Sequence, residues 1–292
     1  MKTIPIRFLS LLFILLPVLA SAESPILVPA WQSQATFEHP ESVVYDSQHD
    51  LLFVSNVNGA PNEVDGNGYI SQLSVDGKLI EQHWLTGLDA PKGLTIVGDT
   101  LYVADINQLV AIDIKHKKIS KRYPVSDAKF LNDVVADTAG NVYVSDMLTN
   151  TIHRLTQGKF EVWLHDDALE YPNGLLIEGD NLIVASWGVM TDDFVTDNAG
   201  HLKTIDIASK KIQSLGDKTP VGNLDGLESD GEGNYFVTDW MVGKLLHIEP
   251  SGISKTLISL EPGSADLTVL AQQKLVIIPI MLSNNIVAYR IK

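Results

Sequence analysis

Short apolar segments alternate with polar turns along the whole chain, and one unit recurs six times. Each unit contains a small turn, an apolar strand, a polar turn of two to four residues and a second apolar strand. The strands are rich in Val, Ile and Tyr and are bounded by Gly, Asp and Asn, which is typical of β-structure, and no segment has a long helical period. The units begin at Pro40, Pro91, Leu131, Pro172, Leu224 and Ala265.

The spacing of these units predicts the architecture. Their starts are 51, 40, 41, 52 and 41 residues apart, which is typical of four-stranded propeller blades. Most units continue with a third strand, such as Gln108–Ile114, and a fourth strand then leads to the next unit. The pattern therefore predicts an all-β fold, a six-bladed β-propeller with four-stranded antiparallel blades, as a single domain over residues 23–292.

The two ends of the chain are expected to close the ring. The last unit stops after three strands, at Asn285–Ile291, and Ile26–Thr36 can supply the missing outer strand, so that no sheet edge is left open. Two units carry longer loops after the second strand, Asn56–Gly68 and Trp187–Gly200. The first and fourth blades face each other in a ring of six, so these loops should flank one mouth of the central channel.

The first 22 residues have the pattern of a signal peptide. Lys2 and Arg7 precede the apolar run Phe8–Leu19, and Ala20–Ala22 is an A-x-A cleavage signal. We expect cleavage after Ala22 and a periplasmic or secreted protein; an uncleaved anchor is the alternative. After cleavage no membrane span is expected, because no later segment is as long and apolar. The chain has no cysteine, so the core and ring closure must hold the fold without disulfides.

The acidic composition limits the choice of partners. The formal net charge is −15, which argues against nucleic acid, because affinity for nucleic acid comes largely from neutralised phosphates. The charge is compatible with cation binding and equally with a soluble acidic surface. We expect a monomer that acts on a small molecule.

A polar residue stands where each unit enters its first strand. These six side chains should converge on the axis, where burial without a partner costs several kcal/mol, and a bound cation would resolve both this cost and the repulsion between carboxylates. Carboxylate and amide oxygens without histidine or cysteine favour Ca²⁺, with Mg²⁺ or Mn²⁺ as alternatives, over zinc. The six positions are Glu41, Lys92, Asn132, Asn173, Asp225 and Asp266.

Four segments around these positions resemble a known family. FEHPESVVYD, FLNDVVADTAGNVYVSD, YPNGLLIEGDNLIVAS and NLDGLESDGEGNYFVTD are similar, in order, to the metal-carrying segments of the gluconolactonase and senescence-marker-protein (regucalcin) family. Paraoxonases and diisopropylfluorophosphatase share its plan. The resemblance covers essentially the whole mature chain and implies one axial metal held by Glu41, Asn132, Asn173 and Asp225. It also implies that Asp225 is the general base or, as proposed for the phosphatase, the nucleophile.

The sequence departs from this family at one substrate position. Sugar-lactonase members have an arginine two residues before the first asparagine, whereas this chain has Phe130, preceded by Lys129. An apolar residue there disfavours a gluconate-type substrate and favours a more apolar lactone or ester, or no catalysis. The histidine pair that paraoxonases use is also missing near the ring.

The remaining candidates have two interpretations each. Lys92 either forms an ion pair, with Asp266 as its natural partner, or donates a proton to a leaving oxygen. Asp266 and Asp133 are candidates for a layer behind the ligands. Trp187 and Trp240 follow second strands and either line a substrate pocket or pack between blades.

Two classes of function therefore remain. The first is a metal-dependent hydrolase of a lactone or ester. The second is a non-catalytic propeller that binds a ligand or protein, with the metal as a structural plug. A closed-in cavity above the metal ligands would favour the enzyme, and a flat apolar face would favour the binding protein.

Overall fold

Six four-stranded antiparallel sheets form the computed structural model, which describes residues 24–33, 37–191 and 194–292. This confirms the predicted six-bladed propeller. The predicted signal peptide lies outside the described residues. Among the described residues, no helix has the length and apolar character needed to cross a membrane.

The strands follow one another blade by blade from the inside of the ring outwards. The N-terminal strand is β1 (Leu27–Gln32). Blade 1 contains β2 (Pro40–Asp46), β3 (Leu51–Asn56), β4 (Gly68–Ser74) and β5 (Leu79–Leu88). Blade 2 contains β6 (Pro91–Val97), β7 (Thr100–Asp105), β8 (Gln108–Asp113) and β9 (Lys118–Pro124). Blade 3 contains β10 (Leu131–Ala136), β11 (Val142–Asp146), β12 (Thr151–Thr156) and β13 (Lys159–His165).

The second half of the ring has one inserted hairpin. Blade 4 contains β14 (Pro172–Glu178) and β15 (Asn181–Ser186), then the hairpin β16 (Gly188–Met190) and β17 (Thr196–Ala199), then β18 (Leu202–Asp206) and β19 (Ile212–Ser214). Blade 5 contains β20 (Leu224–Ser229), β21 (Tyr235–Asp239), β22 (Lys244–Ile248) and β23 (Ser254–Ser259). Blade 6 contains β24 (Thr268–Leu270), β25 (Leu275–Ile280) and β26 (Asn285–Ile291). Short 3₁₀ turns occupy Met147–Thr149, Asp167–Leu169 and Met281–Ser283.

The N-terminal strand closes the ring, as predicted. Strand β1 pairs antiparallel with β26, from Leu27 opposite Ile291 to Gln32 opposite Val287, and becomes the outer strand of blade 6. The described part of the predicted segment is thus a strand, and residues 34–36 lie outside the description. Closure by both chain ends leaves the propeller without an open seam.

The hydrophobic core lies between neighbouring blades. The second strand of each blade is buried on both faces, and all six residues of Leu275–Ile280 are buried. Outer strands such as Lys159–His165 are instead largely exposed, and only Trp163 of that strand is buried. One core cluster, for example, joins Phe37 and Leu52 of the first blade region to Ile277 of blade 6. This packing fixes the inner strands, and therefore the side chains at the axis.

Candidate metal centre and active site

A bulge in the first strand of five blades presents the axial side chains. In blade 1, Pro40 pairs with Asn56 but Val43 pairs with Val54, so three steps on β2 oppose two on β3. The same register shift occurs in β6, β10, β14 and β20. A bulge re-aims side chains locally. The residues that follow the bulge's first pair are Glu41, Lys92, Asn132, Asn173 and Asp225.

Hydroxyl groups on the second strand stabilise three of these bulges. The backbone N–H of Ser42 donates to Ser55 Oγ at 3.0 Å, and that of Asp133 donates to Ser145 Oγ at 2.9 Å. In blade 5 the N–H of Gly226 donates to Thr238 Oγ1 at 2.8 Å. Each hydroxyl satisfies an amide that the bulge removes from the ladder.

Close packing of neighbouring inner strands adds a further constraint. A Cβ on Gly174 would lie 2.0 Å from the carbonyl oxygen of Asp225, so only glycine allows blades 4 and 5 to approach this closely. The backbone beside two candidate ligands, Asn173 and Asp225, is therefore held in contact.

Buried aspartates at the ends of second strands hold the segments that enter the inner strands. Asp105 Oδ1 accepts hydrogen bonds from the N–H groups of Asp89 at 3.0 Å and Ala90 at 2.9 Å. Asp146 Oδ1 accepts one from the N–H of Phe130 at 2.9 Å. These carboxylates fix the chain two residues before Lys92 and Asn132.

Five of the six predicted axial residues line one cavity of about 430 Å³. Glu41, Asn132 and Asp225 are each 5% exposed, and Lys92 and Asn173 are buried still further. The structure thus brings all four predicted metal ligands together at the floor of one cavity, which opens on the side of the loops that follow the second strands.

Asp266 does not line this cavity. It borders a smaller cavity of about 110 Å³ further along the axis, together with Asp133 and Glu228. Its Oδ2 accepts a hydrogen bond from Ser42 Oγ at 2.6 Å, which joins blade 6 to blade 1. Asp133 lies behind the ring, where its carboxylate accepts from the N–H groups of Val134 and Leu175, both at 2.6 Å.

The side-chain oxygen atoms of Glu41, Asn132, Asn173 and Asp225 fit a hard cation. Glu41 Oε2 and Asn173 Oδ1 are buried and have no hydrogen-bond partner among the described residues. The Asn132 amide nitrogen donates to Met147 Sδ at 3.7 Å, which leaves its oxygen as the group for a ligand. Buried acceptors without donors are costly, and oxygen donors of this kind suit Ca²⁺ or Mg²⁺. The described residues contain no group of three or more His, Cys, Asp or Glu side chains placed to hold a metal, and only two of the four predicted ligands, Glu41 and Asp225, are carboxylates.

In the absence of a cation, the electrostatic environment of the site favours the protonated forms of Glu41, Asp225 and Asp133. Burial, followed by the charges of Asp225 and Asp133, raises the pKa of Glu41 well above its usual value. Burial and then Asp133 raise the pKa of Asp225 to about 8, although a hydrogen bond from Asn173 lowers it. Burial raises the pKa of Asp133 itself to about 6. A divalent cation would compensate this accumulated negative charge.

The predicted pairing of Lys92 with Asp266 is wrong. Lys92 Nζ donates to the carbonyl oxygens of Pro61 at 2.8 Å and Ala90 at 3.0 Å, and it lies 4.4 Å from the centre of the Phe130 ring. Burial lowers the pKa of Lys92 to about 8, against the opposing effects of Glu41 and Asp105. The backbone of the blade 1 loop, rather than a carboxylate, therefore holds this ammonium group at the cavity wall.

An apolar layer lies above the ring of polar axial side chains, which consists of Glu41, Lys92, Asn132, Asn173 and Asp225. The residue directly after each second strand is apolar, and four of these six residues line the cavity: Met147, Trp187, Trp240 and Met281. The other two, Val57 and Ile106, pack with Ala90 and Met281. Sequence reasoning singled out only Trp187 and Trp240 and missed the methionines. The sequence did contain this pattern, because all six residues occupy the same position of the repeat, directly after the second strand.

Both long loops contribute to the cavity from opposite sides, as predicted. The blade 1 loop provides Gly59 and Pro61, and the blade 4 hairpin provides Phe194. Phe194 lies 5.8 Å from Phe130 and 6.2 Å from Trp187 between ring centres. The Trp187 indole N–H donates to the Phe194 carbonyl at 2.9 Å, which fixes the hairpin to the cavity wall.

The two tryptophans both line the pocket and pack between blades. Trp187 and Trp240 have ring centres 6.0 Å apart, and Trp187 forms a cluster with Phe130 and Met147. His39 also lines the cavity, and its Nδ1 is buried with no partner in the described part of the chain. The cavity wall above the polar side chains is thus mostly aromatic and apolar.

The fold and site together define a class of protein: six-bladed propellers with a ring of buried carboxylate and amide side chains at one end of the central channel. Residues 39–268 match the family model described as the SMP-30/gluconolactonase/LRE-like region. The chain belongs to this family. No curated protein matches the sequence.

Solved structures share the fold at low sequence identity. A gluconolactonase from Xanthomonas campestris superposes with a TM-score of 0.67 at 14% identity, covering 92% of this chain and 91% of that one. A Staphylococcus aureus virginiamycin B lyase gives a TM-score of 0.61 at 13% identity, covering 91% and 99%. A Bacteroides thetaiotaomicron protein of unknown function gives 0.66 at 12%, covering 92% and 76%.

Proposed function

We propose that the protein is a divalent-metal-dependent hydrolase of a lactone or ester, exported from the cytoplasm. The observation that carries this proposal is the ring of buried oxygen donors, two of them without partners, at the floor of a cavity. Membership of the SMP-30/gluconolactonase/LRE-like family supports lactone chemistry. The cavity between two loops also favours an enzyme over a non-catalytic binding protein.

Glu41, Asn132, Asn173 and Asp225 would hold the cation, with Ca²⁺ as the first choice. When bound, it would supply polarisation of the substrate carbonyl. Asp225 then accepts the proton of the attacking water as the water oxygen bonds to the carbonyl carbon. The carbon–oxygen bond of the lactone or ester breaks, and the proton passes to the leaving oxygen.

Lys92 is placed to assist the leaving group. Two of its three N–H groups donate to the Pro61 and Ala90 carbonyls, and Lys92 lines the cavity. A fixed ammonium group would stabilise negative charge as it develops on the leaving oxygen. The Phe130 ring, packed over Lys92, excludes water from this position.

The test is metal-dependent hydrolysis by the mature chain from Glu23. The protein is stripped with a chelator, resupplied with Ca²⁺, Mg²⁺, Mn²⁺ or Zn²⁺, and assayed on sugar lactones, alkyl lactones and aryl esters. We expect Ca²⁺ to restore turnover and the apolar substrates to exceed the sugar lactones. A cation that stabilises the fold without turnover of any substrate would favour the binding protein.

Export has its own test. Expression of the full chain in a bacterium with two membranes should place it in the periplasm with Glu23 as its first residue, as mass spectrometry would show. A cytoplasmic protein that retains residues 1–22 would contradict this part of the proposal.

A further inference from the structure

The mouth of the cavity has two chemically different edges. On the side of blades 1 and 2 the edge is polar: Glu63, Asp65 and Asn67 are exposed, and Asp89 accepts a hydrogen bond from the Gly66 N–H at 3.0 Å. Val64 is the exception on this edge. A polar edge of this kind remains hydrated and offers nothing to a hydrocarbon.

The opposite edge is apolar. Five of the twelve exposed large hydrophobic side chains in the described part of the chain lie on the blade 4 hairpin and on the turns after the second strands of blades 5 and 6. They are between 37% and 55% exposed. We call them the apolar arc: Val189, Val195, Met241, Val242 and Leu282.

Backbone and side-chain hydrogen bonds join the elements that carry the apolar arc. The Asn223 side-chain amide donates to Thr196 Oγ1 of the hairpin at 3.0 Å, and the Asn223 backbone carbonyl accepts from the Trp240 N–H at 3.0 Å. The Gly263 N–H donates to the Trp240 carbonyl at 2.8 Å, and the Gly263 carbonyl accepts from the Met281 N–H at 2.7 Å. The arc is therefore a continuous edge held in place.

The apolar arc begins inside the cavity. Met241 and Leu282 line the cavity above the ring and are also exposed at its mouth. Met241 and Leu282 thus connect the apolar lining of the cavity, which includes the Trp240 ring, to the outside. Contiguous apolar surface of this kind marks a binding site, and its shape fits a chain that is attached to a head group in the cavity.

We propose that the substrate is a lactone or ester with a hydrocarbon chain, whose carbonyl head lies over the ring and whose chain leaves the cavity across the apolar arc. This inference rests on the proposed hydrolase function and specifies its substrate class. Five side chains are few for a protein partner, since a standard interface takes about 20–30 residues a side. The net charge of −15 disfavours an anionic lipid surface.

The kinetic test uses γ-lactones with unbranched alkyl substituents, from methyl to decyl, each below its aggregation concentration. A fully buried methylene contributes about 0.8 kcal/mol, which is about fourfold in kcat/KM, and partial contact on the arc gives less. We expect kcat/KM to rise with each added methylene. Leu282→Ser and Met241→Ser should each lower the ratio of long-chain to short-chain kcat/KM at least threefold.

The matched control is Ile253→Ser. Ile253 is 63% exposed but lies in the turn between the third and fourth strands of blade 5, on the face of the propeller opposite the cavity mouth. The long-to-short ratio should be unchanged in this variant. A wild-type ratio that does not depend on chain length, or an equal loss in Ile253→Ser, would overturn the inference.

A binding measurement separates this inference from the hydrolase proposal. Alkyl-substituted γ-lactams keep the carbonyl but resist hydrolysis, and their affinities can be measured by calorimetry. Affinity that rises with chain length and falls in Leu282→Ser, without turnover of any lactone, would support the arc as a hydrocarbon site and refute hydrolysis. Turnover without chain-length dependence in either assay would refute the arc and leave the hydrolase. Co-sedimentation with phosphatidylcholine vesicles that Leu282→Ser abolishes, without chain-length dependence, would assign the arc to a lipid surface instead.

Discussion

Replacement of Asp225 by Asn should stabilise the cation-free protein and abolish its response to cations. Burial and the neighbouring Asp133 raise the pKa of Asp225 from 3.8 to about 8, so the folded protein at neutral pH holds a proton that the unfolded chain would release. A carboxyl group whose pKa is higher in the folded than in the unfolded state makes its full contribution to stability only below about pH 4. This contribution is lost as the pH rises towards about 8.

The structure sets the size of the effect. At about 1.4 kcal/mol per pKa unit, the interval from the unfolded pKa to neutral pH corresponds to about 4 kcal/mol. Relaxation around the site reduces this to about 2–4 kcal/mol. Because Asn has nearly the same shape and needs no proton, the variant should gain this amount, or roughly 5–15 °C in Tm for a domain of this size.

Thermal unfolding in chelator, from about pH 5 to about pH 9, measures the effect. The advantage of Asp225→Asn should grow with pH up to about pH 8. The control is Asp217→Asn, an exposed carboxyl group whose pKa is lowered by hydrogen bonds from Thr219, and its Tm should not rise. Ca²⁺ at about 100 times its Kd should add about 2.7 kcal/mol to wild type and nothing to Asp225→Asn. A chelated Asp225→Asn protein no more stable than wild type at about pH 8 would refute the reasoning.

Three further predictions concern the ring. Glu41→Gln removes one of two ligand charges and should weaken Ca²⁺ binding at least tenfold by calorimetry; an unchanged affinity would exclude Glu41 as a ligand. Ca²⁺ affinity should rise from about pH 6 to about pH 8, because the raised pKa values of Glu41 and Asp225 mean that Ca²⁺ binding releases protons. Calorimetry in two buffers measures those protons, and binding without proton release would contradict the role of these two residues as ligands. Gly174→Ala places a Cβ 2.0 Å from the Asp225 carbonyl oxygen and should cost about 3 kcal/mol in chemical denaturation, whereas an unchanged midpoint would mean that blades 4 and 5 can separate.

The fold could be predicted because its signal is local and repeated. Each blade carries its own alternation of strands and turns, and the missing fourth strand of the last unit predicted the closure by Leu27–Gln32. The axial ring was predictable for the same reason: its members occupy one column of the repeat. Position in the repeat fixes position around the axis.

Contacts between blades were not predictable in this way. Lys92 is held by the carbonyl of Pro61, in a loop of the neighbouring blade, and no local pattern encodes that contact. Asp266 shares the column with the ring but borders the lower cavity, where its hydrogen bond to Ser42 fixes it. The five bulges also depend on pairing register, which apolar alternation alone does not give.

The apolar layer was overlooked for a different reason. Met147 and Met281 follow strands that are buried along their whole length, so in the sequence they look like further core residues. Only the alignment of all six second-strand ends, together with the cavity, distinguishes them from the core.

The proposed function depends on a cation held by Glu41, Asn132, Asn173 and Asp225. The most direct measurement is anomalous diffraction from crystals of the mature protein soaked in Mn²⁺, with Asp225→Asn crystals as the control. We expect an anomalous peak between these four side chains in the wild type and none at that position in the variant. A wild-type ring without a peak, or a peak that persists in Asp225→Asn, would contradict it.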